Sequence, residues 1–142
     1  KIEVKKNEHK INNLIELPIL IKSNTDGYIV PSQISRPNFI SNKKVLGKKF
    51  FLNNKTQNLN NGQLNNKIVM IEGADPGYDW IFLHNILGLI TKFGGANSHM
   101  SIRCSELDIS AAIGCGNEKF DELIKFENIE IDPLSNSLNG IF

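Results

Sequence analysis

The stretch that decides the fold begins with Ile86-Leu87-Gly88-Leu89-Ile90 and continues through Gly94-Gly95-Ala96-Asn97-Ser98-His99-Met100-Ser101-Ile102. The first part is a short continuous apolar run, which is typical of a buried strand. Two glycines and two small polar residues then precede a single histidine and a segment that is compatible with a helix. This order predicts a strand, a glycine loop and a helix that carries the histidine in its first turn.

The surroundings of His99 suit a phosphoryl group. Asn97 or Ser98 can cap the helix, because a short side-chain oxygen accepts a free N–H of the first turn. The positive end of the helix dipole favours a neutral, nucleophilic imidazole and stabilises an anion bound there. Gly94 and Gly95 let the backbone approach a phosphate closely. A lone histidine at a helix start is more often a capping or packing residue, but the whole combination favours a nucleophile.

Strands and helices alternate in the second half of the chain, which predicts an α/β layer with parallel pairing. We expect the apolar face of the His99 helix to be formed by Met100, Cys104 and Leu107. The predicted strands are Lys67–Ile71, Ile86–Thr91, Ser110–Ile113, Glu127–Asp132 and Ser137–Phe142. The predicted helices are Tyr78–Asn85, Ser98–Leu107 and a third that runs from a cap at Asn117 to Ile124.

The first half has fewer apolar runs and is expected to be richer in β-structure and loops. Residues 1–13 form a polar leader that we interpret as a linker or the end of a preceding helix. The remaining predictions are an extended segment at Leu14–Ile21, a turn at Asn24–Gly27, a strand at Tyr28–Val30, loops at Pro31–Ser41 and Asn53–Asn66, and a strand at Lys48–Asn53. The chain begins with Lys1, which suggests a piece of a longer protein.

Composition argues against several classes of function. The 142 residues carry a net charge of +1, so no strong field points to nucleic acid or a membrane surface. No apolar run is long enough to span a bilayer, and no signal peptide is apparent. Cys104 and Cys115 are too far apart for a redox or zinc motif, and they are expected to be reduced and buried in a cytoplasmic protein.

The central stretch resembles the swivelling phosphohistidine domain of phosphoenolpyruvate-utilising enzymes, such as phosphoenolpyruvate synthase and pyruvate phosphate dikinase. The matching residues are Gly88 to Ile102, Ile109 to Gly114, the upstream Asp75-Pro76 and Trp80, and the closing Ile129 to Asp132. The resemblance implies a β/β/α domain over residues 14–142, in which a central sheet is flanked by short helices.

The resemblance also implies a function. His99 would be the phosphoacceptor, and Gly94, Gly95, Asn97 and Ser98 would hold the phosphoryl group. The domain would swing between an ATP-grasp domain, which binds ATP and Mg²⁺ and releases AMP and phosphate, and an acceptor-binding domain. The acceptor would be pyruvate or a small molecule such as glutamine in capsule synthesis, since rifampin phosphotransferases and glutamine kinases share this domain. The alternative is a docking domain that keeps the fold without catalysis.

Three departures from the family pattern lie on the His99 helix or beside it. Asn97 stands where the family has Thr, Ser105 where it has Arg, and Asp108-Ile109-Ser110 where it has Gly-Ile-Pro. Arg103 lies one turn beyond His99. It could bind phosphate or pair with Glu106 at i+3, and the sequence leaves both open.

Four further residues have a functional and a structural interpretation. His84 could approach His99 or simply pack, and Asp75 could bind a ligand or start a turn. Cys115 could flank the site or be buried, and Trp80 could belong to the core or to a docking surface. The scattered His and Cys residues predict no metal site within the domain.

Overall fold

The computed structural model describes residues 36–53 and 62–142, which lie in one compact unit, Ser35–Phe142. Its elements, in chain order, are β1 (Asn38–Ile40), β2 (Val45–Phe51), β3 (Lys67–Gly73), a 3-10 helix (Pro76–Leu83), β4 (Gly88–Phe93), α1 (His99–Glu106), β5 (Ser110–Ile113), α2 (Gly116–Leu123), β6 (Asn128–Asp132) and β7 (Ser137–Ile141).

The strands form one mixed sheet in the order β1-β5-β4-β3-β2-β6-β7. The four central strands, β5, β4, β3 and β2, pair in parallel. The outer pairs, β1 with β5, β2 with β6 and β6 with β7, are antiparallel. The predicted α/β class with parallel pairing and short flanking helices is therefore confirmed, and antiparallel strands extend the sheet on both sides.

The centre of the sheet is covered on both faces, as the residues of β3 show. Ile68, Val69, Met70 and Ile71 of β3 are all fully buried. Their side chains alternate between two hydrophobic clusters, since successive residues of a strand point to opposite faces. Each such side chain contributes roughly 1.5–3 kcal/mol by leaving water. This double burial explains why the sequence shows a continuous apolar run instead of an alternating one.

Each α-helix covers one of these faces. Met100 and Cys104 of α1 pack into the first cluster, and Phe120 and Leu123 of α2 pack into the second. The prediction that Leu107 completes the apolar face of α1 is wrong. Leu107 is the C-cap residue and is 44% exposed, because the helix ends before a further turn could bring it back to the core.

Several other boundaries differ from the predictions. The strand predicted at Lys48–Asn53 is Val45–Phe51, the strand predicted at Ile86–Thr91 is Gly88–Phe93, and the helix predicted at Tyr78–Asn85 is the 3-10 helix Pro76–Leu83. Part of the predicted loop Pro31–Ser41 is β1, whose register is set by its pairing with β5. The helix α2 starts at Gly116 with Cys115 as N-cap and no side-chain capping bond, so Asn117 is not its cap. The predictions for residues 1–35, and those for 54–61 of the Asn-rich loop, lie outside the described residues. Within the described ranges, no helix is both long and apolar enough to cross a membrane.

Candidate active site

His99 is the first residue of α1, at the end of the loop that leaves β4. The loop turns tightly, because the backbone N–H of Ser98 donates to the carbonyl of Gly95 at 3.0 Å. Ser98 is the N-cap, and its hydroxyl accepts from the N–H of Ser101 at 3.4 Å. Of the two predicted caps, Ser98 is therefore the one that the structure uses. The imidazole of His99 is 40% exposed at the start of the helix.

A close approach between two glycines fixes this loop. Gly94 has a φ of +133°, and a Cβ there would lie 2.6 Å from that of Ala74. Gly114 has a φ of +73°, and its Cβ would collide with the carbonyl of Gly94. The hydroxyl of Thr91, which is fully buried, accepts from the N–H of Gly114 at 2.9 Å. The fold thus requires glycine at both positions, since other residues disfavour positive φ.

Gly95 differs from these glycines because packing does not require it. A Cβ at this position would have no atom within 4 Å. The missing side chain leaves open space beside the turn that leads to His99. Such open backbone is what a phosphate approaching N–H groups needs.

Asp79, on the 3-10 helix, joins His99 to Arg103. Its Oδ1 lies 3.0 Å from Nε2 of His99 and accepts a hydrogen bond from Nε of Arg103 at 3.2 Å. The hydrogen bond to His99, followed by the charge of Arg103, lowers the pKa of Asp79, so the carboxylate form is favoured. The three side chains form one cluster at the start of α1.

Arg103 forms the i+3 pair with Glu106, which is one of the two interactions that the sequence left open, and it also binds Asp79. Its Nη1 donates to Oε2 of Glu106 at 2.8 Å, which confirms the i+3 pair. Its Nε points to Asp79, and its guanidinium lies 5.8 Å from the ring centre of Phe82. The bond to Glu106, and then the charge of Asp79, raise the pKa of Arg103. The guanidinium and the imidazole therefore share one carboxylate oxygen of Asp79.

The other predicted residues lie either in the loop before His99 or in structural positions. Asn97 is exposed in the loop and does not cap the helix. Asp75 caps the 3-10 helix, where its Oδ1 accepts from the N–H of Gly77 at 2.6 Å, so it starts a turn.

The rings of His84 and Trp80 lie edge to face, 6.0 Å apart, and Trp80 is 36% exposed. Cys115 is buried, and burial raises the pKa of its thiol to about 11.

Metal binding has no candidate group in the part of the chain that the structure describes. No three His, Cys, Asp or Glu side chains there lie close enough to hold an ion. The Asp79 carboxylate faces a histidine and an arginine, and the arginine is a cation already.

Sequence reasoning missed Asp79, which lies 20 residues before His99. The 3-10 helix that carries it has no periodic pattern strong enough to show which face meets α1. One signal was available: β3 and β4 are parallel, so the segment that follows β3 emerges at the same edge of the sheet as the loop that follows β4. An acidic residue there was a candidate partner for the histidine.

Comparison with known families gives an independent result. Residues 63–135, just over half of the chain, match the family described as "PEP-utilising enzyme, mobile domain". The match runs from the turn before β3 to the turn after β6 and includes the whole of the His99 loop and the Asp79 cluster. The comparison with curated proteins gave no significant match. The chain belongs to the PEP-utilising enzyme mobile domain family.

Proposed function

We propose that this domain carries a phosphoryl group on His99 within an ATP-dependent phosphotransferase. Membership of the family makes the domain part of a phosphotransferase family. The observation that carries the proposal for His99 is its position: a 40% exposed imidazole at the first residue of α1, directly after a glycine turn. An imidazole that is exposed to this extent can be reached by a second domain.

The chemistry required of the domain is nucleophilic attack followed by release. A ring nitrogen uses its lone pair to form an N–P bond, while the P–O bond to the donor breaks and the electron pair leaves with the donor oxygen. The free N–H groups at the start of α1 and the open backbone at Gly95 stabilise the phosphoryl oxygens. Asn97, Ser98 and the backbone of Gly94 line the same loop, and Arg103 supplies a positive charge.

The proposal extends to partners outside this chain. An ATP-grasp domain holds ATP and Mg²⁺ and phosphorylates His99, with AMP and phosphate as the final products. An acceptor-binding domain then takes the phosphoryl group onto pyruvate or a small molecule such as glutamine. Residues 14–142 form the swivelling domain, residues 1–13 form the linker to the preceding domain, and the enzyme is cytoplasmic. The match over residues 63–135 supports the domain itself and is compatible with these partners.

The test is intact-mass analysis of the full-length parent protein after incubation with ATP and Mg²⁺. We expect an acid-labile gain of one phosphoryl group that the His99→Ala variant lacks. Ser105→Ala, which alters an exposed residue on the same helix, is the matched control and should be phosphorylated like the wild type. If the wild type binds ATP but gains no phosphoryl group, the carrier function is wrong and the docking domain remains.

A further inference from the structure

A single carboxylate oxygen stands at the tip of the His99 ring. Oδ1 of Asp79 is 3.0 Å from Nε2, and Nε of Arg103 donates to the same oxygen at 3.2 Å. Nε2 is the ring nitrogen more remote from the main chain. It is therefore the nitrogen that a second domain can reach most easily.

A phosphoryl group on Nε2 would compete with Asp79 for this place. Each phosphoryl oxygen is only two bonds from the ring nitrogen, so it would lie about where Oδ1 lies now. A phosphoryl group also carries nearly two negative charges, which repel a carboxylate at this distance. Arg103, in contrast, already donates to an oxygen at this position.

We propose that the Asp79 carboxylate occupies the position of the phosphoryl group while His99 is unphosphorylated, which we call its placeholder role. By favouring the unphosphorylated state, Asp79 raises the phosphoryl-transfer potential of phosphorylated His99. The inference rests on the proposed carrier function. In the unphosphorylated domain, Asp79 holds the imidazole and Arg103 together. On phosphorylation, Asp79 is displaced and Arg103 binds a phosphoryl oxygen. Asp79 is thus a positioning residue that acts through His99 and Arg103.

The covalent step balances without a further reactant. When the ring proton is on Nε2, His99 donates it to Asp79. Before attack, exchange with solvent removes the proton from Nε2 and places one on Nδ1, so the neutral ring has no proton to share with Asp79 and the carboxylate moves away. The Nε2 lone pair forms the N–P bond, the donor P–O bond breaks, and its electrons leave with the donor oxygen. The Nδ1 proton then passes to solvent.

The sign of the effect on the equilibrium follows from these contacts. Asp79 stabilises the unphosphorylated state by its bonds to His99 and Arg103, and it destabilises the phosphorylated state by repulsion. Asp79→Asn keeps the size of the side chain and removes its charge. The equilibrium constant for phosphohistidine formation should therefore rise, about three- to tenfold for groups that are partly exposed.

The experiment measures the phosphorylated fraction of the full-length protein at equilibrium. The protein is incubated with Mg²⁺ and with ATP, AMP and phosphate in fixed ratios, and acid-labile phosphate is counted from both directions. Asp121→Asn is the matched control, because Asp121 is also a partly exposed carboxylate bound to a cation, Lys92, at 3.1 Å. It lies on α2, which covers the opposite face of the sheet, and should leave the equilibrium unchanged.

A second variant tests the transfer of Arg103 from Asp79 to the phosphoryl group. Arg103→Gln should lower the equilibrium constant, and the gain from Asp79→Asn should be smaller in the Arg103→Gln background, because the two residues act together. A merely structural role for Asp79 cannot produce a gain in phosphorylation.

The outcomes separate the two proposals. An unphosphorylated wild type overturns the carrier function and this inference with it. A phosphorylated wild type with an unchanged or lowered equilibrium constant in Asp79→Asn overturns the placeholder role alone.

Discussion

Gly114 lies directly against the carbonyl group of Gly94, so the chain after β5 and the loop after β4 touch through their backbones. Gly114 also donates its N–H to both oxygens of Thr91, the hydroxyl at 2.9 Å and the carbonyl at 3.1 Å. These contacts place the loop that ends at His99. The position of the candidate nucleophile therefore depends on a residue that directly follows the next strand, β5.

Gly114→Ala should destabilise the protein and disturb the His99 loop. Its φ of +73° disfavours any side chain, and the new Cβ would overlap the Gly94 carbonyl. We expect a loss of about 1–3 kcal/mol or more in the free energy of unfolding, measured by urea denaturation. Gly95→Ala is the matched control and should change that free energy by less than about 0.5 kcal/mol, since its Cβ would meet open space. Equal losses in both variants would contradict this account of the loop.

Ser98→Ala should weaken α1, whereas Asn97→Ala should not. Ser98 is the N-cap whose hydroxyl accepts from Ser101, and loss of such a cap costs about 1 kcal/mol. Asn97 is exposed and is not the cap. Thermal and urea unfolding of the two variants, compared with the wild type, measure the difference. A larger loss for Asn97→Ala would show that the first turn is capped differently in solution.

Thr91→Val should be destabilising even though the two side chains have similar shapes. The hydroxyl of Thr91 is buried and accepts from the N–H of Gly114. Replacing it with a methyl group weakens the hydrogen bonding of that N–H, at a cost of about 1–3 kcal/mol in the free energy of unfolding. Thr91→Ser keeps the hydroxyl and should cost less. The prediction fails if urea denaturation shows valine to be the better tolerated of the two.

The buried thiols should make stability fall in alkaline solution. Burial raises the pKa of Cys104 to about 12 and that of Cys115 to about 11, from an ordinary value of 9.0. Above about pH 9, the unfolded chain therefore releases thiol protons that the folded protein keeps, and unfolding becomes easier as pH rises. Urea midpoints between pH 8 and 10.5 measure the slope. The double variant Cys104→Ala, Cys115→Ala should show a shallower slope, and an unchanged slope would assign the effect to other groups.

The sheet centre and the helix that starts at His99 could be predicted from the sequence because their signals are local. The apolar run Lys67–Ile71 lies within β3, and Ser110–Ile113 coincides with β5. A strand buried on both faces is mostly apolar, so the run itself marks it. The cap at Ser98 is equally local, because its oxygen and the N–H that it accepts are three residues apart.

Features that depend on distant parts of the chain could not be predicted in this way. The strand β1 has three residues, and its pairing partner β5 is about 70 positions away. The two prolines nearby were the stronger local signal, and they led to the prediction of a loop. Asp79 meets His99 only because the 3-10 helix returns to the start of α1. Leu107 has the spacing of a residue on the apolar face, but α1 ends at Glu106, so Leu107 does not face the core.

The place of β2 in the sheet also limits how the protein can be shortened. β2 pairs with β3 on one side and with β6 on the other, and it is the element that connects the antiparallel hairpin β6–β7 to the parallel strands. The segment matched by the family, residues 63–135, contains neither β2 nor β7. Expressed alone, it would lose a central strand and expose the unpaired edges of β3 and β6, which invites aggregation. The limits of sequence similarity are thus not the limits of a folding unit, and a truncation intended for solution work must retain β2.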